Sequence, residues 1–286
     1  MTLLDTSITT NCVIAGVTTV LSVPLFYFYL IKSNLFEYKF IHSSGYFLVI
    51  LHSLAFILTQ FNQIEFITHM TTNSTFIMCQ IQGGIHFISI LSFLMFTLVN
   101  NTIFYLETIR QQKMMNQNLV FTLSLACLLI PFAIVVLYII CDIHFEISDD
   151  KSCFLLSFRG LTIFVSLFLF FYLCNLFLCI YFLYNIYSKK TLFKELKTLD
   201  IISNFVILVT MAFLLIDCVG SLFEHRGGDH WHFNAFVFIR DLFECLTGLA
   251  LIISFQIKDD WKGIMWIVCQ TKKKVSDQRF DEIVDY

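Results

Sequence analysis

The sequence predicts an all-α membrane protein: a seven-transmembrane helix bundle followed by a short amphipathic helix on the membrane surface. Three observations carry that expectation: the excess of apolar over charged residues, seven apolar segments long enough to cross a bilayer, and the one-sided placement of Lys and Arg. Hydrophobic residues make up 58% of the chain and charged residues 14%, with a mean hydropathy of +0.79. A water-soluble domain of that composition would precipitate, because too little polar surface remains to cover it. Phe occurs 34 times against 10 Gly and 2 Pro, which favours long helices with few breaks. A net charge of -3 leaves no strongly basic surface, so nucleic acid is not an expected partner.

Hydrocarbon offers backbone amides no water, so a spanning segment satisfies them internally, and about 20 apolar residues in helix reach across. Span one, 12–32, follows a short N-terminal stretch, 1–11, without a basic residue, so no cleaved signal peptide is expected. Span two, 43–62, starts after Lys39 and carries His52. Span three, 79–106, opens on Cys79 and ends before Arg110 and Lys113. Span four, 119–141, leads into a long loop, 142–159. Span five, 160–187, is apolar on every face, which excludes the alternating strands of a β-barrel; its Phe and Tyr stripe reads as lipid contact and packing. Span six, 200–223, follows the basic run from Lys189 to Lys197, and span seven, 234–257, runs up to Lys258.

Short loops rich in Lys and Arg stay cytoplasmic during insertion. All 18 Lys and Arg fall on one side except Lys151, Arg159, Arg226 and Arg240. Seven spans then put the N-terminus outside and residues 258–286 in the cytoplasm as surface helix and tail, in a multi-pass protein expected at the plasma membrane. Asn73-Ser74-Thr75, a glycosylation sequon after span two, falls on the outer side in agreement, whereas Asn100-Asn101-Thr102 lies inside span three and is expected to be inert.

Of ten cysteines, Cys12, Cys127, Cys174, Cys179, Cys218 and Cys245 read as small apolar residues of the spans. Cys79 and Cys153 both face the oxidising side, where a disulfide between them would pin the outer loop over the mouth of the bundle. Cys141, at the outer end of span four, is the competing partner for either.

A charge centred in a bilayer costs about 2.5 to 3.5 kcal/mol on insertion scales, so every polar group in a span requires an account. Counted inward at about 1.5 Å per residue, His86 in span three, Asp217 in span six and Arg240 in span seven lie about 10 Å below the outer ends. Arg240 and Glu244 are four residues apart and share a helical face where they can pair, while Asp241 points elsewhere. His86, Asp217, Arg240 and Glu244 are therefore the expected ligand-binding layer, with mutual neutralisation of the charges as the open alternative. A second, inner layer holds His52 in span two with Asn100 and Asn101 near the end of span three, placed to hydrogen-bond across helices.

After span seven, Trp261, Ile264, Met265 and Val268 recur at helical spacing among Lys258, Lys262 and Lys272 to Lys274, as in a helix lying on anionic membrane lipid. Cys269 beside it is a candidate palmitoylation site. The loop from Glu224 to His232 clusters imidazoles and carboxylates, but residues two apart in a solvated loop seldom hold a metal, and none is expected. No phosphate-cradling glycine loop and no nucleophile beside a base is visible, so the chain reads as neither an enzyme nor a cofactor protein. No span carries an interior Lys for a retinal Schiff base.

Seven spans, an outside N-terminus, the Cys79 and Cys153 pattern, short inner loops and a basic helix after the last span resemble a G-protein-coupled receptor. Glu107-Thr108-Ile109-Arg110 is not the Asp-Arg-Tyr of the rhodopsin-like group, and span seven has no Asn-Pro-x-x-Tyr. The chain is more similar to the slime-mould cyclic-AMP receptors and the related secretin-type receptors. That likeness rests on 52–58 in span two, Leu98-Val99-Asn100 followed by Phe104-Tyr105-Leu106 in span three, and 248–261 after them. It covers the whole chain, by architecture more than by sharp motifs. The resemblance implies a cell-surface receptor that binds an extracellular ligand and signals through a heterotrimeric G protein at its inner loops, above all Lys189 to Lys197. In secretin-type receptors a His on span two and a polar residue on span three belong to a lock that opens on activation, which assigns an activation network to His52 and Asn100. A small-solute transporter or channel is the competing expectation. It would call for internal repeats and helices broken near the midplane, whereas Pro24 and Pro131 occupy non-corresponding places.

Overall fold

Long apolar runs with few breaks leave the backbone one way to satisfy its amides in lipid, and the chain takes it. The computed structural model describes residues 3–32, 39–63, 72–108, 117–147, 153–154, 157–188 and 198–224, and within 239–269 the residues 239, 242, 246–253, 256, 264–266 and 268–269. The helices are α1 (Leu3–Lys32), α2 (Lys39–Gln63), α3 (Thr72–Thr108), α4 (Gln117–Ile140), α5 (Phe158–Ser188) and α6 (Thr198–Glu224). Each of the first six expected spans lies inside one of them, Cys141 alone falling outside. Most of the seventh lies outside the described residues, of which 246–253 are helical.

Four stretches are long and apolar enough to cross a bilayer: Thr10–Ile31, Cys79–Ile103, Asn118–Ile140 and Phe158–Asn185. The chain is therefore a helical, multi-pass membrane protein. α2 and α6 carry shorter apolar stretches, Ser43–Leu58 and Phe205–Gly220. The distribution of side chains agrees with lipid as the solvent. On α1 the buried face is Asn11, Ala15, Thr18, Ser22, Leu25 and Tyr29, while Val13, Val17, Val20, Tyr27 and Ile31 point outward. Small and polar inside, branched and apolar outside, is the reverse of a helix in water and lets helix backbones approach closely. Hydroxyls in these stretches bond back to their own helix, as Ser22 Oγ to Thr18 O at 2.7 Å and Thr162 Oγ1 to Phe158 O at 2.6 Å.

The ends of α4 and α5 follow from local chemistry. Asp142 adopts a φ of 59°, its amide donates to Ile139 O at 3.2 Å, and the Ile143 amide donates to Tyr138 O at 2.9 Å. This is the paired-bond stop usually made with glycine; aspartate tolerates the left-handed conformation better than most residues. Ser157 caps α5, its Oγ accepting from the Gly160 amide at 3.3 Å. Between the two helices lies a departure from pure helix among the described residues, the two-residue strands β1 (Glu146–Ile147) and β2 (Cys153–Phe154), antiparallel with Glu146 opposite Phe154.

α1 packs on α2, α2 on α3, α3 on both α4 and α5, and α5 on α6. The helical residues after α6 close the circuit. Thr247 Oγ1 donates to Thr210 Oγ1 of α6 at 2.8 Å, and Gly248 faces Thr18 of α1 with Val49 and Ser53 of α2. α3 runs through the middle, with 72% of its apolar stretch buried against 28% for α1 and α4 and 22% for α5.

Candidate functional site

With most of its apolar stretch buried, α3 has little lipid-facing surface on which to place polar groups, and it carries several. Gln82, His86, Ser89, Thr97 and Asn100 follow one another at helical spacing with Phe93 in their midst, so they form a single stripe. All but the partly buried His86 are buried, Asn100 at 7% exposure and Ser89 at none. Two hydroxyls are satisfied locally: Ser89 Oγ donates to His86 O and Thr97 Oγ1 to Phe93 O, both at 2.8 Å. Opposite the apolar gap in the stripe stands His52 of α2, its ring 5.4 Å from that of Phe93 and tilted by 36°. His52 is 2% exposed.

The expected inner pair thus lies in the core, and the ring neighbour of His52 is Phe93, two helical turns before Asn100, about 10 Å along the axis at 1.5 Å per residue. Of the expected outer layer, His86 is on the stripe; the Asp217 side chain on α6, Arg240 and Glu244 lie outside the described residues, as does most of the loop from Glu224 to His232, while Asn73, expected in a loop, stands in the first turn of α3 with its side chain outside the described residues. His86 and Asn100, expected in separate layers, are 14 residues apart on one face of one helix.

The N-terminal end of α3 is fastened to the loop after α4. Gln80 Nε2 donates to Phe145 O at 2.7 Å and Gln80 Oε1 accepts from the Phe145 amide at 3.1 Å, a reciprocal pair that satisfies both backbone groups. The Phe145 side chain lies directly on Gly83, where any Cβ would come within 2.5 Å of it. Its ring joins Phe87, which in turn meets Tyr138 of α4 at 5.4 Å and Phe164 of α5 at 4.8 Å. Cys79, one turn before Gly83, is disulfide-bonded, and the side chain of Cys153 lies outside the described residues. Cys141, the competing partner, is a free thiol, as are Cys12, Cys127, Cys174, Cys179, Cys218 and Cys269. In the same loop His144 Nε2 pairs with Asp142 Oδ1 at 2.8 Å on the surface.

Further polar ties join the helices below this level. Asn175 of α5 donates through Nδ2 to Leu94 O of α3 at 3.2 Å and to Phe171 O at 3.0 Å. Gln256 donates through Nε2 to Tyr46 Oη at 2.7 Å and to Tyr29 Oη at 3.4 Å, and its Oε1 accepts from the Ile264 amide at 3.1 Å. Sequence reasoning passed over both. An Asn in the middle of the apolar α5 is itself a signal, since hydrocarbon offers it no partner. The expected surface helix is helical at 264–266 and 268–269, with Ile264 and Trp266 half-buried and Met265, Val268 and Cys269 exposed. The arrangement as a whole offers hydrogen-bonding groups in a closed core, and among the described residues no three His, Cys, Asp or Glu gather as metal ligands do. Comparison with protein-family models and with curated proteins gives no match.

Proposed function

We propose that the chain is a seven-span cell-surface receptor of the G-protein-coupled kind, which binds an extracellular ligand in the outer half of its bundle and engages a heterotrimeric G protein at its inner face. The observation that carries this reading is the helix circuit around α3, closed by the contacts of Thr247 and Gly248 with α6, α1 and α2. A ring of helices about a central one that bears a buried polar stripe is an arrangement suited to holding a ligand at one end and changing shape at the other. In this reading α1 to α6 and the helix containing 246–253 are the seven crossings.

A disulfide persists on the oxidising side of a membrane, which supports an outside location for Cys79, hence for the N-terminus, and a cytoplasmic tail. Cys153 on β2 is its proposed partner, because β2 packs beside α3. Asn73 in the same outer zone is the proposed glycosylation site, and the plasma membrane the proposed location. His86, with Asp217, Arg240 and Glu244 from α6 and span seven, is the proposed ligand layer; His52 and Asn100 form the proposed activation network. The segment from Ile264 lies on the inner leaflet, with Cys269 as its acylation site.

The test is nucleotide exchange on a panel of heterotrimeric G proteins by the purified chain in lipid nanodiscs. The ligand-free chain is expected to accelerate exchange above empty nanodiscs for at least one G protein. No acceleration for any of them, together with solute flux through liposomes that Arg240→Gln abolishes, would overturn the receptor in favour of a transporter. Arg240→Gln and the Arg240→Gln, Glu244→Gln double variant separate ligand contact from charge neutralisation. Under neutralisation the single variant is the less stable one, because it strands a charge in lipid.

A further inference from the structure

We infer that Gln256 is a pin that fastens the membrane-surface segment 264–269 to the ends of α1 and α2 as one rigid unit. The amide reaches three parts of the chain at once: Tyr29 near the end of α1, Tyr46 near the start of α2, and the backbone of Ile264 beyond span seven. Gln256 and Tyr46 have no exposed surface and Tyr29 has 1%. A polar network this deep has no water to fall back on, so each bond that opens leaves a buried group without its partner. Both donors of the amide and one lone pair of its oxygen are engaged, which ties the side chain to a single geometry.

Ring packing reinforces the pin on both sides. Tyr29 stacks on Tyr46 with centroids 5.4 Å apart and planes 20° from parallel. Phe28, the residue before Tyr29, meets Tyr29 edge-on at 5.0 Å and Trp266 at 5.2 Å. The surface segment is thus bound to α1 through Trp266 and to the amide through the Ile264 N–H. This fixes its rotation, with Met265, Val268 and Cys269 held outward. Nothing in this depends on what the bundle binds, so the pin stands or falls separately from the receptor reading.

Peptide-resolved hydrogen exchange on the purified chain in lipid nanodiscs tests it. Gln256→Met keeps the length and bulk of the side chain and removes its hydrogen bonds; exchange at 264–269 is expected to quicken about tenfold or more. Tyr46→Phe keeps the ring stack, removes one hydroxyl, and is expected to quicken the same peptide by a smaller factor. If Gln256→Met fails to fold, Tyr46→Phe carries the test alone. Thr247→Val breaks a buried bond of the same span that is not part of the pin and is expected to leave 264–269 unchanged. Unaltered exchange at 264–269 in the folded Gln256 and Tyr46 variants, or equal quickening in Thr247→Val, would overturn the inference.

Discussion

Replacing Gly83 with alanine adds one methyl group at the place where the loop after α4 touches α3. An ideal Cβ there lies 2.5 Å from Phe145 Cδ1, 2.6 Å from Cγ and 2.8 Å from Cβ. Carbon atoms rest at about 3.5 to 4.0 Å, so Phe145 must retreat by roughly 1 Å. Rotating the ring does not help, because the Phe145 Cβ is itself too close. The backbone of Phe145 has to move, and two hydrogen bonds from Gln80 hold it. Full expulsion would lose both bonds at about 0.5 to 1.5 kcal/mol each and the burial of a Phe at about 1.5 to 3 kcal/mol. Overpacking strain of about 1 to 3 kcal/mol is the cheaper course, so the loop yields in place and the variant loses about that much. Thermal unfolding in detergent reads the loss, and faster hydrogen exchange at 143–147 locates it. Gly84→Ala is the control: its Cβ would meet Val135 Cγ1 at 3.5 Å and Phe145 Cε2 at 4.0 Å, ordinary contacts, and alanine favours the helix by about 0.5 to 1 kcal/mol. A Gly83→Ala protein as stable as the parent, with an unchanged loop, would refute the reasoning.

The same thermal assay is expected to give opposite signs at two other glycines. Gly16→Ala, with nothing within 4 Å, gains about 0.5 to 1 kcal/mol, while Gly248→Ala, whose Cβ would lie 3.0 Å from Thr18 Cγ2 and 3.2 Å from Val49 Cγ1, loses about 1 to 3 kcal/mol. Asn175→Leu strips the Leu94 carbonyl of its cross-helix donor and is expected to cost about 0.6 to 1.7 kcal/mol; an unaltered melting temperature would mean that α3 and α5 are held by packing alone. On the receptor reading, His52→Phe keeps a ring beside Phe93 and deletes the imidazole nitrogens, so ligand-independent nucleotide exchange should rise, as it should in Asn100→Leu. Unchanged exchange in well-folded variants of both would count against a lock at this place.

What the sequence made legible was whatever a single helix decides for itself. Apolar runs bounded by charge located α1 to α6, because hydrocarbon tolerates no other ending. The stop after α4 escaped by one residue, since Asp142 does there what a glycine more often does. Contacts between helices were less legible, because they depend on rotation and depth together. His52 packs its ring against Phe93, which no polarity rule singles out. Gln256 at the edge of a span looked like any polar boundary residue until Tyr29, Tyr46 and Ile264 converged on it. The stripe on α3 was readable from spacing alone: Gln82, His86, Ser89, Thr97 and Asn100 advance by threes and fours once Phe93 is counted between Ser89 and Thr97, and only His86 and Asn100 drew notice.

That stripe bears on how a signal would cross the molecule. His86 and Asn100 are 14 residues apart on one continuous helix, about 21 Å at 1.5 Å per residue, so a displacement of α3 at one end is felt at the other without any intermediate. Its N-terminal end is tied down by the Cys79 disulfide, the Gln80 pair and Phe145 on Gly83, and below Phe93 its ties include the Asn175 bond and the long Asn101 Nδ2 to Cys179 Sγ contact at 4.0 Å. α6 meets the following helix through the Thr247 to Thr210 hydroxyl bond, while α1 and α2 meet it through Gly248 and the Gln256 pin. A ligand shifts an equilibrium only by as much as its affinity differs between the two states. The least binding energy is needed where the fewest buried bonds must break. On the receptor reading, the bonds that join α1 and α2 to the helix containing Gly248 and to Gln256 are ones such a change would leave intact, which makes these elements the block against which the rest would move.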